Sequence, residues 1–187
     1  MIESYFQESI DLNKRILDDG SIIDKIRVAA SWIKKCFEQG NKLLIAGNGG
    51  SAADAQHLSA EFVGRYKNER RAYPAIALTT DTSILTAWSN DYGFDSVFSR
   101  QIEALGKTGD IFIGISTSGN SKNIIQGVKK CKELGISAIC LLGKNGGELK
   151  DLADLAIIVP SSNTPRIQEV HTIIIHSICE EFDNNVH

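Results

Sequence analysis

The stretch KLLIAGNGGSAADAQHLSAEF, Lys42 to Phe62, holds the architecture of the chain in one unit. KLLIA is apolar without alternation, which suits a strand covered on both faces rather than one with a wet side. GNGGS then stops the run with residues that accept tight turns. The remainder, SAADAQHLSAEF, reads as a helix. A strand, a glycine turn and a helix in that order open a βα unit.

Downstream the unit repeats. AIAL at 75–78, DIFIGI at 110–115, SAICLL at 137–142 and LAIIV at 155–159 are further short apolar runs. Helices are expected over 51–66, 82–89, 94–105, 121–134 and 164–182. Together these predict an α/β fold, a three-layer sandwich around a five-stranded parallel sheet. Upstream, Ile2, Phe6, Ile10, Asn13 and Leu17 fall near one face of a first helix. Ser21 reads as the N-cap of a second, in which Ile22, Ile26, Ala29, Ile33 and Phe37 form a stripe that Gly40 ends. With no repeats, low-complexity tracts or long linkers, residues 1–187 read as one domain. The N-terminal helices, 1–40, are expected to pack on it or on a neighbouring subunit.

Bulk properties narrow the function. The 187 residues carry a formal net charge of −3. The tightest basic cluster is Arg70-Arg71, too small for a nucleic-acid footprint. No run approaches the roughly 18 apolar residues of a membrane span, and MIESYFQESIDLNKRIL lacks the apolar stretch of a signal peptide. Cys36, Cys131, Cys140 and Cys179 form no CxxC pair and read as reduced core thiols. A cytoplasmic protein without nucleic-acid or membrane partners is expected. His187, the last residue, is expected to be disordered.

In open α/β sheets, ligands sit beyond the carboxyl ends of the strands. GNGGS (47–51) follows the first strand and STSGNS (116–121) the third, and each leads into a helix. Unpaired N–H groups at a helix start suit an anion, and glycines allow close approach. Ser116, Thr117, Ser118 and Ser121 add hydroxyl donors, so STSGNS reads as a phosphate cradle. GNGGS is equally readable as a plain turn and cap. Neither loop matches GxGxxG or GxxxxGK[ST], so one phosphate on a small molecule fits better than a nucleotide. GKNGGE, 143–148, reads as a glycine turn.

His57 and Glu61 are four apart on a helix and share a face. Both are suitable zinc ligands, and such pairs are also common on surfaces. In the last helix Gln168, His171 and His176 are polar within a strongly apolar segment. Gln168 and His176 lie about 12 Å apart along a straight helix and point roughly 80° apart. One metal does not easily take both from one chain. Either a neighbouring subunit supplies one, or they contact different parts of a substrate. Arg65 and Tyr66 read as near the site or as solvated or interface residues.

GNGGSAADAQHLSAEFVGRY, SNDYGFDSVFSRQ, GDIFIGISTSGNSKNII and RIQEVHTIIIH, in that order, resemble the phosphoheptose (sedoheptulose-7-phosphate) isomerase family of the SIS fold group over nearly the whole chain. The resemblance implies a flavodoxin-like SIS sheet and an aldose–ketose isomerase. Such an enzyme converts sedoheptulose 7-phosphate to D-glycero-D-manno-heptose 7-phosphate through an enediol, for bacterial lipopolysaccharide or surface polysaccharide. It also implies a homotetramer with sites between subunits and one Zn2+ per subunit. By resemblance, Asn48, Gly49, Gly50 and Ser51 contact substrate, Asn90 and Asp91 line the sugar site, and Ser116, Thr117, Ser118 and Ser121 hold phosphate. His57, Glu61, Gln168 and His176 form the metal set at the substrate. Glu61 is the base and His176 its acid/base partner, while His171 is left to packing or support. PSSNTP before RIQE, with Pro165, departs from the family pattern. Relatives that associate with a replication initiator share the fold, so a non-catalytic binding protein stays open, as does an isomerase of another phosphosugar.

Overall fold

A computed structural model describes residues 2–185, so His187 lies outside the described residues. In chain order the elements are α1 (Ile2–Asp19), α2 (Ser21–Glu38), β1 (Leu43–Gly47), α3 (Gly50–Val63), β2 (Ala75–Ala77) and α4 (Thr82–Tyr92). A 3-10 turn (Phe94–Ser96) follows, then α5 (Val97–Leu105), β3 (Ile111–Ser116), α6 (Lys122–Leu134), β4 (Ser137–Gly143), α7 (Leu149–Leu152), β5 (Leu155–Val159) and α8 (Thr164–Asn185). All five expected strands and every expected helix form. The short α7 and the 3-10 turn are additional.

The strands pair in parallel in the order β2-β1-β3-β4-β5. Ile45 lies beside Ala77 on one side and Ile113 on the other. The winding reverses between β1 and β3, which makes that crevice the topological switch point. Strand side chains alternate faces, so the continuous apolar runs feed two cores. Leu43, Ile45, Ile113, Leu141 and Ile157 join Ile33, Leu58 and Ile175 from α2, α3 and α8. Leu44, Phe112, Cys140 and Leu142 join Phe98, Ile102, Ile124 and Val128 from α5 and α6. The result is the three-layer sandwich.

At two positions the expectation needs correction or qualification. Ser21 is not an N-cap. Gly20, at φ 71°, closes α1 with its N–H on Ile16 O (3.1 Å) and already accepts from Asp24 N for α2 (3.1 Å). One left-handed glycine therefore serves both helices, and no extended residue remains to cap the second. In α1 the residues buried by the rest of the chain are Leu12 and Ile16. Ile2 and Phe6 remain 72% and 66% exposed, with Ile10 and Leu17 exposed beside them.

The four cysteines are free and buried. Burial pushes the thiols of Cys36 and Cys140 up to about 11 and about 12, which removes them as nucleophiles at neutral pH. Among the described residues no helix is long and apolar enough to cross a membrane.

His171, fully buried on α8, donates from Nε2 to Leu142 O at 3.0 Å. Burial depresses its pKa from 6.5 to about 4, only partly offset by that bond. The folded ring therefore resists a proton that the unfolded ring accepts below its ordinary value. This stability is fully present above pH 6.5 and is lost as pH falls from there toward 4. His171→Asn keeps a donor for Leu142 and does not titrate. In urea melts from pH 7 to 4.5, the wild type's stability relative to this variant should decline by up to about 3 kcal/mol.

Candidate active site

The two loops at the switch point meet through their side chains. Asn48, after β1, and Asn123, in the first turn of α6, exchange amide hydrogen bonds of 3.0 and 2.8 Å. Asn48's side-chain amide thus joins the two loops and keeps one N–H and one lone pair over. Asn123 was not singled out in the sequence, because an asparagine near a helix start carries no special signal. Gly49, at φ 55°, turns the chain into α3, where Ser51 N and Ala52 N are bonded back to Asn48 O and Gly49 O. Ser51 is buried, while Gly49 and Gly50 are exposed.

Across the crevice, the hydroxyls of Ser116 and Ser121 bond at 2.8 Å, and Ser116 Oγ accepts from Gly119 N (3.2 Å). Ser118 Oγ accepts from Asn120 N at 3.1 Å, and Thr117 is half-buried beside it. Ser121 is the N-cap of α6 rather than its first residue. The GKNGGE turn lies behind this loop. Leu149 N bonds Gly119 O (3.0 Å), and Glu148 N bonds Asn120 Oδ1 (2.9 Å).

Below the loops, α3 and α8 run side by side in the same direction. Gly50 lies against Gln168, whose Nε2 would be 2.3 Å from a Cβ placed there. Asp54 accepts from Thr172 Oγ1 (3.1 Å). His57 Nε2 is 3.3 Å from His176 Nε2, and Phe62 stacks edge-on with Phe182 at 5.2 Å. The lower rungs converge on a cluster. His57 Nε2 is also 3.0 Å from Glu61 Oε1, and donor atoms of His57, Glu61 and His176 all lie within 4.8 Å of one another. Tyr66 brings its ring to 5.8 Å from that of His176.

Two imidazole nitrogens and a carboxylate oxygen this close together are a donor set of the kind zinc takes, which leaves one of its usual four positions to a further ligand. Gln168 lies against Gly50. It sits two rungs from His57 and His176, as the eight-residue separation on a straight helix requires. Asn90 and Asp91 are exposed at the end of α4, where Asn90 Nδ2 bonds Asp91 Oδ1 (2.8 Å). Among the described residues, no hydrogen bond or ion pair connects them to the cluster.

Asp54 is a further candidate that the sequence reading missed. It is buried, and its Oδ2 has no partner among the described residues. Burial raises its pKa, partly offset by the Thr172 hydrogen bond and the charge of His57. Its signal was present: 54, 57 and 61, spaced three and four, put three polar side chains on one face.

Comparison with known proteins agrees with this fold. The SIS domain family profile matches residues 4–143. The phosphoheptose isomerase of Clostridium acetobutylicum is 50% identical over 96% of this chain and 91% of its own. That of Aneurinibacillus thermoaerophilus is 53% identical over 95% and 90%. Among solved structures, phosphoheptose isomerase GmhA from Neisseria gonorrhoeae superposes with a TM-score of 0.92. It is 43% identical, and the match covers 98% of this chain and 97% of that one.

The loop after β3 is tested most directly at Gly119. Its φ is 70°, and a Cβ there would lie 1.9 Å from Gly146 O, a backbone atom that cannot swing aside. Gly119→Ala should cost about 2 kcal/mol or more in thermal melts, from left-handed strain plus displacement of the turn behind the loop. Gly50→Ala meets only the flexible end of Gln168 and should cost less than about 1 kcal/mol.

Proposed function

The chain belongs to the SIS domain family and, within it, to the phosphoheptose isomerases, and from that premise we propose how its residues carry out the reaction. It is an aldose–ketose isomerase that interconverts sedoheptulose 7-phosphate and D-glycero-D-manno-heptose 7-phosphate in heptose biosynthesis. Identity at about half the positions with named isomerases across nearly the whole chain favours this over a non-catalytic initiator-binding relative. The observation that carries the chemistry is the convergence of His57, Glu61 and His176.

The reaction moves one proton between C1 and C2 and interchanges a carbonyl and a hydroxyl. Glu61 takes the proton from C1 of the ketose to give an enediol and returns it at C2. His176 moves the hydroxyl proton between O1 and O2. His57, Glu61 and His176 are the residues that would hold zinc, which when bound supplies Lewis acidity at the sugar carbonyl. Gln168 joins that set only from another copy; within its own chain it faces the substrate at the start of α3. Ser116, Thr117, Ser118 and Ser121 hold the phosphate, while Gly49, Gly50 and Ser51 bring backbone to the sugar. Anchoring C7 in this way positions C1 and C2 at Glu61.

The assembly we propose is a homotetramer whose sites are completed between subunits. Support comes from the apolar residues that one chain leaves exposed on α1 and from Tyr92 and Phe94, exposed beside Asn90 and Asp91. Such patches mark interaction surfaces. Four unpaired cysteines support a cytoplasmic setting.

Glu61→Gln should lower turnover of sedoheptulose 7-phosphate about 1,000-fold while the protein stays folded and associated. Full activity in that variant, by coupled assay, removes Glu61 from the mechanism. Chelation should inactivate the enzyme and added zinc restore it. His57→Gln should weaken zinc binding by competition titration; a chelator-insensitive enzyme would rule the metal out.

A further inference from the structure

Arg70 and Asp183, 113 residues apart, form an ion pair whose side chains are only 7% and 3% exposed. Arg70 Nε donates to Asp183 Oδ1 at 2.8 Å. Its other nitrogens reach the end of α3: Nη2 to Glu61 O at 2.8 Å and Nη1 to Phe62 O at 3.1 Å. These are carbonyls that a helix leaves without an internal partner in its last turn. A cation there also opposes the negative end of the helix dipole. Asp183 Oδ2 accepts from Lys67 N (3.1 Å) and Asn68 N (3.2 Å), which folds the segment after α3 back over α8.

The position of the pair matters for the chemistry. Asp183 lies seven residues, two turns, beyond His176, on the same face of α8. Arg70 grips Glu61 by its own carbonyl. A slip of α3 by one residue would turn Glu61 by about 100° and move it about 1.5 Å along the axis. It would also break both carbonyl bonds to Arg70. The same fold-back carries Tyr66 to His176.

We propose that Arg70 and Asp183 are positioning residues of this active site. They lock the C-terminal ends of α3 and α8 in register, so that Glu61 and His57 on one helix meet His176 on the other, and they seat Tyr66 beside His176. The proposal rests on the reading of that triad as the metal-holding, reacting end of the site. It assigns the pair no contact with substrate or metal.

The test uses the full-length enzyme and two conservative variants, Arg70→Lys and Asp183→Asn. Lysine keeps the charge but cannot serve Asp183 and two carbonyls at once. Asparagine keeps the shape and loses the charge. At a temperature well below the melting point of the metal-free protein, zinc affinity should fall about 10- to 100-fold in each. The visible spectrum of the cobalt-substituted protein should change, and kcat should fall more than KM rises. Unchanged affinity and cobalt spectrum, with only the melting temperature lowered, would make the pair purely structural and overturn the proposal.

Should a variant not fold, the wild type supplies the measurement, because coupling between sites is reciprocal. The amides of Lys67 and Asn68 should exchange several-fold more slowly with zinc bound than without it, and equal rates overturn the proposal. Failure of the underlying reading looks different. In that case the wild type itself would bind zinc no more tightly than His57→Gln and would not isomerise the sugar, and the proposal would fall with it.

Discussion

Side chains spaced three or four apart on one helix can meet side chains spaced four apart on another only if the helices lie side by side along several turns. α3 and α8 satisfy this by running in the same direction on one face of the sheet, α3 leaving β1 and α8 leaving β5. Their rungs, Gly50 with Gln168, Asp54 with Thr172, His57 with His176 and Phe62 with Phe182, are a single registered ladder. Polar residues occupy its upper and middle rungs and aromatic residues its foot. Glu61 lies one turn beyond His57, so the convergence of three donor atoms follows from the register of the whole pair.

The loop end of the site has a different construction. It stands where the winding of the sheet reverses, between β1 and β3, where two strand-to-helix turns are left without a helix crossing over them. Asn48 and Asn123 tie those turns together, and the GKNGGE turn buttresses the second one from behind. The two glycines there differ in how strictly they are required. Gly119 has a neighbouring backbone where a Cβ would be, and Gly50 leaves room for Gln168. The site thus has a loop-built end and a helix-built end, and the rigid sheet fixes the distance between them.

Local pattern was legible in the sequence wherever it determines structure. Unalternated apolar runs revealed a sheet covered on both faces, His57 and Glu61 stood out by their spacing on one helix face, and His176 stood out in a strongly apolar segment. Ser21 misled because N-cap preference describes a helix that begins from extended chain, and here one glycine ends α1 and starts α2. Asn123 and Arg70 were not legible. Arg70 read only as half of a basic cluster too small for a nucleic-acid footprint, yet its side chain is buried. Its partner Asp183 is fixed only when α8 lies against α3, and nothing local records that. Gln168 shows the opposite case. Helical geometry alone argued that one metal would not easily take both Gln168 and His176 from one chain, and Gln168 stands at the rung of Gly50, two rungs from that of His57 and His176.

A buried ion pair at the foot of this ladder is poorly explained by stability. Desolvating two charges costs several kcal/mol, and well-packed apolar side chains in their place often do as well or better. Apolar adhesion is already supplied there. Phe37, Phe62, Tyr73 and Phe182 pack with ring centroids 4.9 to 5.6 Å apart, and Arg70's guanidinium lies over Tyr73 and Phe182. Packing between such rings weakens when a helix slides, but the rings can repack against neighbouring apolar side chains in a shifted register. Hydrogen bonds from a planar fork to two successive carbonyls and a carboxylate are lost at once under the same slide. The aromatic cluster therefore holds α3 and α8 together but specifies their register less sharply than directional bonds do. The directional bonds of Arg70 and Asp183 choose it, and a site that needs three donor atoms within 4.8 Å of one another depends on that choice.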